Sequence, residues 1–163
     1  MKLSRRIGVV LLISLFMGGL FSCSDDDKQV SKPVINMDDE NAFPANCVTV
    51  FRGESFEFNA LFTDEQELGS FNIEIHNNFD HHSHSTDDID CEEEEHKHKS
   101  PVKPFVYNKS FTIPSGQTSY QAIVKIDVPT DIDTGSYHFV IRVTNKAAWQ
   151  EIKGISIKIA DRK

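Results

Sequence analysis

From residue 34 onward, apolar and polar side chains alternate with a period of two, the pattern of strands that bury one face. Phe71, Ile73 and Ile75 alternate with Asn72, Glu74 and His76. Tyr137, Phe139, Ile141 and Val143 alternate with His138, Val140 and Arg142. Tyr120, Ala122, Val124 and Ile126 form a third run, and residues 56–62 a looser one. Val48 with Val50, Phe105 with Tyr107 and Phe111, and Ile155 with Ile157 and Ile159 complete the set. Breakers stand between the runs: Arg52-Gly53, Leu68-Gly69-Ser70, Pro114-Ser115-Gly116, and residues 129–135. No segment carries a convincing helical period. About seven to eight short strands without helices predict an all-β fold, an antiparallel β-sandwich.

One local motif sharpens that prediction. Asp133-Thr134-Gly135-Ser136-Tyr137 resembles the tyrosine corner of immunoglobulin-like sandwiches, in which the tyrosine hydroxyl bonds back to backbone near the penultimate strand. Phe139 stands where antibody domains carry their second cysteine, and Trp149 falls at the start of the last strand rather than on the third. The resemblance is therefore to immunoglobulin-like sandwiches without the buried intersheet disulfide. Residues 77–103 break the alternation and are too polar to bury. A loop of this length in one domain is usually functional or disordered.

The first residues have another character. Lys2, Arg5 and Arg6 precede an apolar run that ends in Leu20-Phe21-Ser22-Cys23. A basic head and a short apolar core are parts of a secretory signal, and the run is short for a membrane span. Its end resembles the bacterial lipobox, with Phe21 an unusual filler. The resemblance implies cleavage before Cys23, acylation of its thiol and anchorage in a lipid bilayer. Ser24-Asp25-Asp26-Asp27 resembles the acidic export tag of surface lipoproteins in Bacteroidota. The expected organisation is a signal peptide over 1–22, a lipidated acidic tether over 23–32 and a sandwich domain over 33–163 with the insert at 77–103. The expected location is the outer membrane, exposed at the cell surface, with the periplasmic face as the alternative.

Charge and cysteines narrow the chemistry. The formal net charge is −8, and removal of the three basic residues of the signal takes it to −11. Such a chain lacks the basic footprint of a nucleic-acid binder and suits cations. With Cys23 acylated, Cys47 and Cys91 remain in an oxidising compartment. They are candidates for a disulfide, for two free thiols, or, for Cys91, for a metal ligand.

The insert holds the candidate site. Six of the seven histidines, His76, His81, His82, His84, His96 and His98, fall within residues 76–98. Such a tract reads as metal binding, because neutral imidazole is the common protein ligand of zinc and also suits copper and nickel. Asp80 and neighbouring carboxylates can ligate or orient the rings. The competing reading is a solvated charged loop, with Lys97, Lys99 and Lys103 balancing part of the acid. His138 alone reads as an exposed strand residue. If His76 lies on the third strand, however, the two imidazoles can meet on one sheet face.

Residues 73–84, with the later run 137–144, resemble the Bacteroidota lipoprotein family known as domain of unknown function 4625. That resemblance covers most of residues 33–160, and the His-Asn-Asn-Phe-Asp-His block at 76–81 is its specific part. It implies an immunoglobulin-like lipoprotein and assigns no activity. No phosphate loop, nucleophile elbow or carboxylate pair on apolar strands is present, so an enzyme is not expected. Two functions compete. One is zinc capture or buffering, with copper or nickel less favoured, and transfer to an outer-membrane transporter as its use. The other is an adhesive or ligand-binding accessory module of a surface complex, for which Phe79 and Trp149 are the candidate aromatic contacts.

Overall fold

Among the described residues the alternation resolves into eight strands in two sheets. The computed structural model describes residues 31–80, 91 and 99–162. The strands are β1 (Val34–Asn36), β2 (Val48–Phe51), β3 (Ser55–Thr63), β4 (Leu68–Asn77), β5 (Tyr107–Thr112), β6 (Ser119–Asp127), β7 (Gly135–Asn145) and β8 (Gln150–Ala160). One sheet runs β1-β3-β6 and the other β2-β8-β7-β4-β5. All pairings are antiparallel except β2 with β8. The fold is the predicted all-β sandwich of immunoglobulin-like type, and no helix occurs among the described residues.

The two sheets bury the apolar members of each alternating run against one another. Phe58, Phe62, Ala122 and Ile126 of the small sheet face Phe71, Ile73, Ile75, Phe139 and Ile141 of the large one, all buried. Phe58 stacks on Phe139 with ring centres 5.6 Å apart, and Phe62 meets Phe71 at 5.2 Å. Burying each such ring contributes roughly 1.5–3 kcal/mol. Phe139 thus supplies by packing the cross-sheet contact that a disulfide makes in antibody domains.

The tyrosine corner forms. Tyr137 Oη donates to the Asp133 carbonyl at 2.6 Å and accepts from Phe105 N–H at 3.1 Å. Asp133 Oδ2 accepts from the N–H groups of Val102 and Lys103 at 2.7 and 2.8 Å, and Asp133 N–H donates to Lys103 O at 2.8 Å. The ends of the expected insert at 77–103 are tied by hydrogen bonds to the sandwich and to each other. Asn78 N–H donates to Ser136 O at 2.8 Å, and Lys99 N–H donates to Phe79 O at 3.3 Å. The strand pattern misses this docking because it rests on backbone and carboxylate bonds, which leave no apolar period.

Gly135 makes the docking possible. Its φ of +136° is one that side chains rarely adopt, and a Cβ there would lie 2.8 Å from Phe79 Cε1. The bare backbone lets Phe79 lie edge-on to Tyr137, with ring centres 5.3 Å apart.

Candidate functional site

The polar members of each alternating run cover the outer face of the five-stranded sheet in rows. One row, at the end where β4 runs into the insert, places His76 directly opposite His138 on β7, which in turn lies opposite Ser156 on β8. The two imidazole centres are 5.5 Å apart with their planes at 56°. Glu74, one side-chain repeat back along β4, puts Oε1 at ion-pair distance, 3.1 Å, from His76 Nδ1. His138 is only 2% exposed, whereas the sequence suggested an exposed strand residue. Alternation places it on the outer face but cannot reveal that this position is buried.

Beside this row lies a covalent cross-link. Cys47 and Cys91 form a disulfide with Cα atoms 5.4 Å apart. Cys47 N–H donates to Ser156 O at 2.7 Å, and Asn46 Oδ1 accepts from Ser156 N–H at 2.8 Å. Residue 91, from the middle of the insert, is therefore fixed at β8 next to the residue that faces His138.

The histidine pair suits part of a metal site. Two imidazoles sharing a tetrahedral ion at about 2.0–2.1 Å have ring centres roughly 5 Å apart, close to the spacing found. A carboxylate at the other ring nitrogen is the partner that fixes tautomer and orientation in such sites. Among the described residues, however, no group of three or more His, Cys, Asp or Glu side chains is placed to hold an ion. Asp80 is exposed at the end of its described stretch, while His81, His82, His84, His96 and His98 lie outside the described residues, as does Cys23. The structure therefore brings together His76 and His138 of the expected ligand set.

Other expectations change. Phe79 is 4% exposed and packs against Tyr137, so it offers no adhesive surface. Trp149 is 42% exposed. Lys99 and Lys103, expected to balance the insert's acids, contact the turn before β7. Lys103 pairs with Asp131, and Lys99 Nζ lies 3.8 Å from Asp133 Oδ1.

A family model described as "Domain of unknown function (DUF4625)" matches residues 21–160. The chain belongs to that family. No curated protein matches this DUF4625 chain. Among solved structures it is similar to the GspB Siglec domain, at 20% identity and a TM-score of 0.45, over 80% of this chain and 58% of that one. It is also similar to a Niemann-Pick type C2 protein from Japanese carpenter ant, at 10% identity and a TM-score of 0.43, over 79% of this chain and 89% of that one. A third is Spo0M, a sporulation control protein from Bacillus subtilis, at 11% identity and 0.40, over 81% and 50%. The DUF4625 chain thus spans less than two thirds of the GspB Siglec structure.

Local electrostatics at this end of the domain favour the folded contacts. The Val102 N–H holds the Asp133 carboxyl below its ordinary range against a smaller opposing effect of burial, and the Lys103 N–H adds to the lowering. The Lys103 ammonium does the same for Asp131. Burial pushes the Tyr137 phenol up, so it stays a neutral hydroxyl able to donate to Asp133 O.

Proposed function

We propose that this protein is a bacterial outer-membrane lipoprotein that captures or buffers a transition metal, zinc first, at the outer face of its five-stranded sheet. The observation that carries this reading is the His76–His138 pair, 5.5 Å apart, at the point where the histidine-rich stretch leaves the sheet. His76 and His138 supply two ligands on neighbouring strands, where backbone pairing limits their movement. Asp80 and the sequence-adjacent His81, His82 and His84, with His96 and His98 beyond Cys91, supply the remainder. Transfer to an outer-membrane transporter is the use that fits such a site. Support for the anchor comes from the basic and apolar residues before Cys23, and support for surface exposure from the acidic residues after it.

The test is calorimetric titration of zinc and copper into the full-length protein, beside His76→Ala and a variant with His81, His82 and His84 also changed to alanine. Tight stoichiometric binding should weaken at least about tenfold in His76→Ala, a loss of about 1.4 kcal/mol, and vanish in the fourfold variant. Binding that survives the fourfold change would sink the organised site. It would favour an accessory module that uses the exposed Trp149.

A further inference from the structure

We propose that the outer face of the same sheet carries a second, separate site: a shallow cleft for an acidic sugar, with Arg142 holding its carboxylate. Arg142 on β7 lies in one cross-strand row with Asn72 of β4 and Ser110 of β5. The next row, away from the histidines, places Thr144 of β7 opposite Gln150 of β8. With Asn108 these side chains line a cleft of about 250 Å³. That is below the roughly 300–1,000 Å³ of pockets for drug-sized ligands, so it accommodates one sugar ring.

The charge pattern points to an anion. Three arginines occur among the described residues. Arg52 is paired with Asp161 and Arg162 with Glu54. Among the described residues Arg142 has no ion pair and no side-chain hydrogen bond, and no carboxylate lines its cleft. This occurs in a chain of formal net charge −8, where acids are plentiful. Glu74, the acidic residue one row away on β4, turns its Oε1 to His76 instead, at 3.1 Å. A guanidinium presents a planar fork that matches a carboxylate in bidentate fashion. One such cation balances a monoanion, which favours a carboxylate over a phosphate dianion.

The other lining groups favour hydroxyls. The amides and hydroxyls of Asn72, Asn108, Ser110, Thr144 and Gln150 donate and accept without adding charge. Asn72 Nδ2 donates to Asn108 Oδ1 at 2.9 Å and to Ser110 Oγ at 3.1 Å, which orders that side of the cleft in advance. Strands about 4.8 Å apart bring Arg142, Asn72 and Ser110, on the three neighbouring strands β7, β4 and β5, within the span of one substituted pyranose, with Gln150 on β8 one strand further. Arg142 is four residues from His138 on the same face of β7, about 13 Å along the strand, so the cleft and the histidine pair are independent.

The experiment is titration of the full-length protein with glucuronate, galacturonate and glucose, followed by saturation-transfer NMR and calorimetry, with a chelator present. Both acids should saturate with a Kd of about 1 mM, and glucose should bind at least about tenfold more weakly. Arg142→Gln should weaken the acids at least about tenfold and by a larger factor than glucose, while Arg142→Lys recovers part of the loss because the charge remains without the fork. Asn108→Asp keeps the acceptor for Asn72 but adds a negative charge, so it should also weaken the acids selectively. Thermal melts verify that each variant folds. Equal binding of acid and neutral sugar overturns the proposal, as does acid binding that survives both Arg142→Gln and Asn108→Asp. Absence of saturation by both acids at about 50 mM overturns it too.

Discussion

Tyr137 Oη joins three separate pieces of chain: β7, the turn at Asp133 and the segment entering β5 through Phe105. Tyr137→Phe keeps the ring in its buried position and removes only that oxygen. Phe105 N–H then loses its acceptor in a buried setting, and Asp133 O loses a donor. Leaving buried polar groups without partners costs about 1–3 kcal/mol, so the urea midpoint should drop by that amount divided by an unchanged m-value. Amide exchange should quicken first at Phe105, since its N–H is the donor released. An unaltered midpoint would show that water replaces the hydroxyl at no cost. The motif was readable in the sequence because a tyrosine corner needs particular residue types at fixed spacing. The burial of His138 was not readable, because it depends on what lies over an outer sheet face rather than on the strand itself.

At the level of elements, the long strands β4, β6 and β7 were legible because each presents a strict alternation with one face against the core. The edge of the large sheet was less so. β2 spans only Val48–Phe51 and pairs in parallel with β8, more than a hundred residues later in the chain. Four residues carry too little pattern to name a partner that distant. The Cys47–Cys91 disulfide reinforces this weak edge, tying the residue before β2 to a point 44 residues away. In the chain-entropy model a loop of that length restricts the unfolded state by about 4 kcal/mol. A Cys47→Ser, Cys91→Ser double variant should therefore lose about 4 kcal/mol of stability by urea denaturation. Exchange protection should fall most in β2 and at Ser156, whose backbone and Asn46 contacts adjoin the link. If the proposed zinc site depends on residue 91 being held at β8, the same variant should also bind zinc more weakly. Retention of full zinc affinity would mean that His76 and His138 organise the ligands without the tether.

Over the whole molecule, carboxylates clasp the segments that alternation does not hold. Glu54 pairs with Arg162 beyond the end of β8, Asp131 pairs with Lys103, and Asp133 accepts from Val102 and Lys103. All three carboxyls are held below their ordinary range: Glu54 chiefly by the hydrogen bond from Arg162, Asp131 by that from Lys103, and Asp133 by the backbone N–H of Val102. The sign follows from linkage. A carboxyl with a lower pKa in the folded state stabilises fully above its unfolded value, about 3.9 for Asp and 4.3 for Glu. That contribution is lost as pH falls through the folded value. Protonation also leaves the 17 lysines and arginines without opposing acids, which adds self-repulsion. Stability should therefore hold nearly level from pH 7 to about 5 and decline below about 4, measured as the melting temperature with a chelator present. Asp133→Ala should melt below the parent at pH 7, because Val102 and Lys103 N–H groups lose their acceptor. The gap should close as pH falls below about 3.9, because the parent loses the same carboxylate by protonation. A gap that stays constant down to pH 2 would show that Asp133 acts through its shape rather than its charge, and acid sensitivity would then rest on Glu54 and Asp131.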